Sequence, residues 1–344
     1  MSIKKILNNK SGILSNYLSK RFQKRIEIKE IQDLGTGVHG HAYKAISLEN
    51  ESFVIKEFMD SGRNLEFSED RLKEALLHKR TANNTPGHVK IHDIIQFSNN
   101  QLTPINDSDP IIVMEEALYE EYFSDLSKIS KNQKLSDNDK ERIKVIAQKV
   151  AEIHNHKEPK EHYLRYLRDW MGMGILDLTN ELSNFTQKEV QEVNHFFIDW
   201  QQLLSKNSDR CKRIHGELFP GTIKLGPDNE FVTYDMRRIG AGEPADDVGS
   251  VAYNFLFQSI LDHKKIIPCF VEATKLFLEE YIKHSKDPEI TKFLPVFMAF
   301  RCLICIHPTI VPIPIETKKQ LKKMLFTLLK QKDLDLDKII KLYN

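Results

Sequence analysis

Cysteine is scarce in this chain, with four in 344 residues. That is too few for a disulfide framework, and a reducing compartment, the cytoplasm, is expected. Net charge is nearly absent, at +1. No global field therefore draws the chain to nucleic acid or to an anionic membrane surface. The Lys/Arg-rich start, Met1 to Ile28, has no continuous apolar core and no small-residue cleavage site, so no secretory signal is read there. Long apolar runs are missing too. The most apolar stretch, Phe293 to Ile315, contains Arg301, His307 and four prolines, which excludes a clean membrane span. What remains is an ordinary soluble composition, 40% hydrophobic and 29% charged, in a chain long enough for two cores.

The first part reads as helix, strands, helix and strands. Ile6, Leu7, Ile13, Leu14, Tyr17, Leu18 and Phe22 share one helical face, which predicts a short amphipathic helix packed on the first lobe. Arg25 to Leu34 alternates as a half-buried strand does. Then come Gly35, Gly37 and Gly40, where a side chain would block close approach of the backbone to phosphate oxygens. A dinucleotide-binding unit would enter a helix directly after such glycines. Here the chain continues to Leu48, turns at Glu49-Asn50-Glu51 and returns through Ser52 to Phe58, a hairpin. Lys56 near its end would reach nucleotide phosphates as a compact cation. The helix predicted over Ser68 to Thr81 offers Glu74 as its anionic partner, in preference to Glu69, because Leu72, Leu76 and Leu77 set an apolar flank beside it. Val89 to Phe97 and Ile111 to Glu115 complete a five-stranded antiparallel sheet, with a polar loop from Ser98 to Pro110. Glu115, Glu116 and Ala117 would form a hinge whose backbone meets the adenine edge. The expected lobes are 1–116 and 117–344.

The second lobe is predicted to be mostly helical. Ser136 reads as an N-cap with Asp137 and Asp139 in the first turn, and Ile143, Ile146, Ala147, Val150 and Ile153 keep helical spacing toward His156. Helical patterns recur over Tyr163 to Leu182 and Thr186 to Leu204. His215-Gly216-Glu217-Leu218-Phe219-Pro220-Gly221-Thr222-Ile223 follows, and then Tyr234-Asp235-Met236. A loop carboxylate, a polar residue five positions later and a second carboxylate in a following turn are what phosphoryl transfer uses to hold an acceptor hydroxyl and a metal.

These segments resemble the aminoglycoside phosphotransferase family, small-molecule kinases with the protein-kinase fold. The resemblance runs from about Ile13 to Tyr253. It takes in the leading helix, the glycine turn with Lys56, Val150 to His156, the catalytic loop and Gly242-Glu243-Pro244-Ala245-Asp246-Asp247-Val248. The family usually shows His-Gly-Asp with a following Pro-Gly-Asn, then Ile-Asp-Phe/Trp and Gly-Asp-Pro-x-x-Asp-Leu. The resemblance implies an α+β kinase-like fold, with a small β-rich lobe bearing one regulatory-type helix and a larger helical lobe. It implies that His215 organises the loop, Glu217 takes the place of the catalytic Asp, and Asp235 ligates Mg²⁺. It puts Thr222 where a metal-binding Asn would stand. Asp247, rather than Asp246, would brace the loop. ATP, with GTP open, and Mg²⁺ are implied, with a hydroxyl-bearing small molecule as acceptor.

Two readings stay open: a working phosphotransferase, and a silent nucleotide-binding module that presents a surface to a partner protein. Glu120, Glu121 and Asp125 would suit a polycationic acceptor, whereas the mainly basic stretch Lys318 to Lys341 points the other way. Cys302 and Cys305 with His307 lack further ligands and read as buried thiols. His39 and His41 read as exposed loop histidines, and His154 and His156 as a helix end. Arg237 and Arg238 would meet a phosphate or pair on the surface.

Overall fold

The computed structural model describes residues 11–37, 40–59, 65–99, 101–105, 109–237 and 240–343. Ile6, Leu7, Val38, His39 and Arg238 lie outside them. The chain divides into two compact units, 1–84 with 88–117, and 85–87 with 118–344.

The first unit opens with helix α1 (Ser11–Phe22). Strands β1 (Ile28–Thr36), β2 (Gly40–Ser47), β3 (Ser52–Phe58), β4 (Ile91–Ser98), β5 (Gln101–Pro104) and β6 (Ile111–Glu115) form one antiparallel sheet in the order β1-β2-β3-β6-β4-β5. Helix α2 (Ser68–Ala82) intervenes between β3 and β4. Leu14 and Leu18 of α1 are buried with Tyr43, Ile55, Ile95 and Val113 from the sheet. The leading helix thus closes one sheet face, as its apolar spacing predicts.

The sheet has six strands rather than five. The extra strand lies inside the segment expected to be loop, where Ser98 pairs with Gln101 and Ile95 with Pro104. It is polar because it is an edge strand, where Gln101 and Pro104 are exposed and a missing proline N–H costs nothing. Helix α2 also turns differently from expectation. Its buried residues are Arg71, Ala75, His78 and Ala82, whereas Leu76 is exposed. Arg71 Nη1 donates to the carbonyls of Leu65 (2.6 Å) and Glu66 (2.9 Å), so hydrogen bonding rather than an apolar flank sets the face.

The second unit is helical. Its helices are α3 (Phe123–Asn132), α4 (Asp137–His154), α5 (Lys160–Asp169), α6 (Asp177–Asn180), α7 (Gln187–Ser205), α8 (Pro244–His263), α9 (Pro268–Ser285), α10 (Ile290–Ile306), α11 (Ile315–Leu329) and α12 (Leu336–Ile340). Ser136 caps α4 through a reciprocal box with Asp139, and Thr186 caps α7 likewise with Glu189. Between α5 and α6 the chain runs as a π-helix, Trp170–Leu176, a break that the apolar spacing does not show. Helix α8 is buried from Pro244 to Ile260. It crosses α10 closely at Gly249, where an added Cβ would lie 3.2 Å from Phe297 Cβ. Cys302 and Cys305 of α10 are buried, and burial pushes both thiols up, Cys305 to about 11. No helix of the described residues is long and apolar enough to cross a membrane.

Candidate active site

The site residues of the second unit gather around the first turn of α8. That turn carries three fully buried carboxylates, Glu243, Asp246 and Asp247. Burying three like charges together is costly unless each is paired. The helix N-terminus favours them, and each also has its own partners. Glu243 receives the Arg210 guanidinium (2.8 Å) and the Tyr163 hydroxyl (2.8 Å). Asp246 receives Arg301 Nη2 (3.2 Å) and the Tyr166 hydroxyl (3.1 Å). Asp247 faces the loop that begins at His215.

Asp247 accepts from the backbone N–H of His215 (2.6 Å) and of Gly216 (2.8 Å). His154 Nε2 adds a third contact at 3.1 Å, and its Nδ1 meets the Tyr281 hydroxyl at 2.8 Å. Burial alone would raise the Asp247 carboxyl, but His154 and these donors more than offset it and hold it below its ordinary value. The register reading that chose Asp247 over Asp246 as the bracing residue fits this geometry. His154, read as a helix end, is part of the brace.

Gly216 stands at φ 76°, in the left-handed region where a Cβ would be strained. That turn lets two successive N–H groups converge on one carboxylate. His215 is completely buried; burial pushes its imidazole below the ordinary range, against the pull of Asp247, Glu217 and Asp235. Its ring lies against the Tyr234 backbone.

Asp235 also has a left-handed backbone, φ 63°. Such a conformation costs a non-glycine residue about 1–3 kcal/mol and persists only where its surroundings hold it. Here the flanking residues do so: Tyr234 N–H donates to the Thr222 carbonyl (3.4 Å) and Arg237 N–H to the His215 carbonyl (2.8 Å). The Tyr234 hydroxyl reaches Glu121 Oε1 at 2.8 Å and also contacts the Gly221 carbonyl.

Thr222 is the residue whose placement departs most from expectation. It is buried, and its hydroxyl is turned into its own loop. Oγ1 donates toward the carbonyls of Glu217 (2.8 Å) and Phe219 (3.0 Å) and accepts from Phe219 N–H (3.1 Å). A hydroxyl has one proton and two lone pairs, so little is left for a metal. An asparagine amide could staple the loop with its NH₂ and still present its oxygen. Threonine keeps the staple alone. Among the described residues no group of three or more His, Cys, Asp or Glu is arranged to hold a metal. Asp235 alone fits a metal that brings most of its ligands from a phosphate chain. Thr222→Asn is therefore expected to lower the Mg²⁺ concentration needed for half-maximal turnover. An unchanged metal titration would show that position 222 does not reach the ion.

Glu217 is the other departure. Its Oε1 lies 3.2 Å from Nη1 of Arg301, a nearly buried residue of α10. Nothing in the local sequence announces this pair, which spans 84 positions. The carboxylates considered for a cationic acceptor are largely engaged. Asp125 is buried against Arg142, Glu121 holds Tyr234, and Glu120 accepts from Ser124 (2.8 Å).

In the first unit the glycine turn and the Lys56 stem lie side by side. Gly37 N–H donates to the Gly40 carbonyl at 2.8 Å, which closes the glycine turn. Gly35 N–H donates to Asp33 Oδ1 (2.9 Å), and Asp33 also holds His41 Nε2 (2.6 Å). His41 Nδ1 meets the Thr36 hydroxyl (2.6 Å), so His41 braces the turn instead of projecting from it. At Gly40 a Cβ would sit 2.3 Å from the Glu57 carbonyl oxygen, and the Lys56 stem runs alongside at 3.4 Å. Lys56 is half-buried, opposite Ala42 and Ile112 in the sheet. Glu74 makes no ion pair among the described residues, so the expected Lys56–Glu74 pair is not formed in this structure. Glu115 accepts from Lys90 N–H (3.1 Å), Glu116 pairs with Lys44 (2.7 Å), and Ala117 ends the unit.

No family model matches the chain, and no curated protein matches it either. Solved structures do. An amicoumacin kinase, hAmiN, in complex with AMP-PNP, Ca²⁺ and Ami superposes with a TM-score of 0.58 at 12% identity, over 90% of this chain and 92% of that one. A protein assigned as a fructosamine-3-kinase from Thermobifida fusca gives 0.56 at 13% identity, over 92% and 99%. A thermostable mutant of aminoglycoside phosphotransferase APH(4)-Ia gives 0.56 at 9%, over 92% and 98%. Likeness at such low identity establishes architecture and leaves chemistry to the site. The chain has the kinase-like α+β fold of the aminoglycoside phosphotransferases and related small-molecule kinases.

Proposed function

We propose that this protein transfers the γ-phosphate of ATP to a hydroxyl group of a small molecule. The observation that carries the reading is the double acceptance by Asp247 of the His215 and Gly216 N–H groups. A buried charge committed to two consecutive loop amides fixes the backbone of Glu217, and phosphoryl transfer depends mainly on such positioning.

In this reading Gly35, Gly37, Gly40 and Lys56 take the phosphates, and Glu115 and Ala117 offer backbone groups to the adenine. Asp235 would hold a divalent ion, which when bound neutralises phosphate oxygens. Glu217 accepts the proton of the acceptor hydroxyl as its oxygen bonds to the γ-phosphorus and the bond to the bridging oxygen of ADP breaks. The nucleotide analogue and Ca²⁺ bound by the amicoumacin kinase support a nucleotide with a divalent ion. The engaged state of Glu121 and Asp125 favours a neutral or singly charged acceptor over a polycation.

The inward Thr222 hydroxyl favours a second reading, a nucleotide-binding module without turnover that docks a partner protein. Binding comes first in testing either. Mg-ATP at 100 times its Kd is expected to stabilise the protein by about 2.7 kcal/mol, read as a rise in Tm. Lys56→Ala should remove most of that rise while leaving the ligand-free Tm in place. No rise with millimolar ATP or GTP, with Mg²⁺ or Mn²⁺, would rule out both readings. A radiolabelled ATP assay against a panel of alcohols, sugars, amines and aminoglycosides then separates them.

A further inference from the structure

We infer that Arg301 is a positioning residue that makes a glutamate workable in this catalytic loop. The inference rests on the phosphotransferase reading and assigns a cause to its least expected residue. A glutamate has one more rotatable bond than an aspartate, and immobilising its side chain costs up to about 2 kcal/mol. A free glutamate in the loop would spread its carboxylate over several rotamers. Arg301 prevents this, because Nη1 holds Glu217 Oε1 at 3.2 Å.

The arginine is itself immobile. Its side chain is 6% exposed, and Nη2 is tied to Asp246 Oδ1 at 3.2 Å. Asp246 is fully buried, and its other oxygen accepts from Tyr166. The geometry follows from the helix crossing. Helices α8 and α10 meet where Gly249 touches Phe297 and Met298. One turn before Gly249 is Asp246, and one turn after Met298 is Arg301. The planar guanidinium then spans from the α8 carboxylate to the loop carboxylate, a task its rigid fork suits better than an ammonium would. Glu217 keeps 30% of its side chain exposed, so the clamp fixes the carboxylate without burying it.

Asp247 fixes the backbone of the loop and Arg301 fixes the end of the side chain. The extra methylene is what lets the carboxylate reach the arginine. An aspartate at 217 would fall short of the clamp, so restoring the family residue should harm this protein.

The test measures steady-state Mg-ATP hydrolysis, with water as acceptor, in wild type, Glu217→Asp, Arg301→Lys and the double variant Arg301→Met/Asp246→Asn. The double variant removes both members of the buried pair, so no fully buried charge is left alone to unfold it, and Glu217 keeps its exposure to water. Tm and circular dichroism confirm that each variant is folded. The expected result is a KM for ATP within about twofold of wild type throughout, with kcat down about tenfold or more in Glu217→Asp and in the double variant. Arg301→Lys should recover part of the loss, which a purely structural role would not predict. Wild-type kcat in the folded double variant, or a kcat in Glu217→Asp at or above wild type, would overturn the inference and leave the phosphotransferase reading standing. Absence of hydrolysis in wild type overturns the inference too. Stabilisation by Mg-ATP then shows whether the nucleotide reading survives.

Discussion

Glu217→Gln is expected to lower turnover by ~10²-fold or more while Mg-ATP binding changes little. The amide keeps the size of the side chain and an oxygen for Arg301 to hold, so the loop should stay in place. What it loses is the ability to take a proton. The loss therefore falls on kcat, because the proton moves only as the new phosphorus–oxygen bond forms. On the proposed reading, nucleotide binding would draw on the glycine turn, Lys56 and Asp235, none of which the substitution touches. Rapid-mixing and steady-state rates for wild type and variant, with Kd for ATP measured separately, decide the matter. A variant whose kcat stays within threefold would show that Glu217 does not accept the proton. A variant that loses ATP binding in parallel would show that the residue holds the nucleotide.

The second large effect is on stability. Asp247→Ala should destabilise the protein by about 3–5 kcal/mol, the range for breaking a buried charged pair. Two backbone N–H groups and the His154 ring lose their acceptor in a region with no access to water. For a unit of this size the corresponding fall in Tm is roughly 10 °C. The effect carries a pH signature. The Asp247 carboxyl is held below its unfolded value, so its contribution is fully present above about pH 4. It is lost as the pH falls through the folded pKa, when the native carboxylate takes up its proton. The gap in Tm between wild type and variant should therefore be constant from pH 8 to 5 and narrow below 4. A gap that widens on acidification would mean that Asp247 is not the stabilising charge.

Much of the architecture was legible because it is written in local patterns. The hairpin after the glycine turn, the Ser136 cap and the leading helix each rest on residues close in sequence. Of the two neighbouring aspartates, motif spacing pointed to Asp247 as the one facing the loop, where it accepts from the His215 and Gly216 N–H groups. The rest required distance information. Arg301 sits in an apolar stretch and, read locally, only argues against a membrane span. Its partners Glu217 and Asp246 are 84 and 55 positions away, and no periodicity links them. Thr222 was read by substitution for asparagine, and the hydrogen bonds of its hydroxyl within the loop were not legible from that. A hydroxyl satisfies loop carbonyls that an amide would satisfy with a different atom, and sequence does not say where the oxygen points. The β5 strand was missed because an edge strand carries the polarity of a loop. The Leu72, Leu76 and Leu77 flank misled because a half-covered helix can expose leucine while burying an arginine that finds carbonyls.

The clamp on Glu217 has a consequence for how the chain comes to be made. Glu217 leaves the ribosome 84 residues ahead of its arginine. At ~5–20 residues per second the interval is on the order of ten seconds. During it the nascent chain holds the loop, Asp235 and the whole of the α8 segment, while Asp246 has no counter-cation. The buried Asp246–Arg301 pair therefore cannot close before α10 emerges. Vectorial synthesis thus supplies the glutamate well before the arginine that holds it.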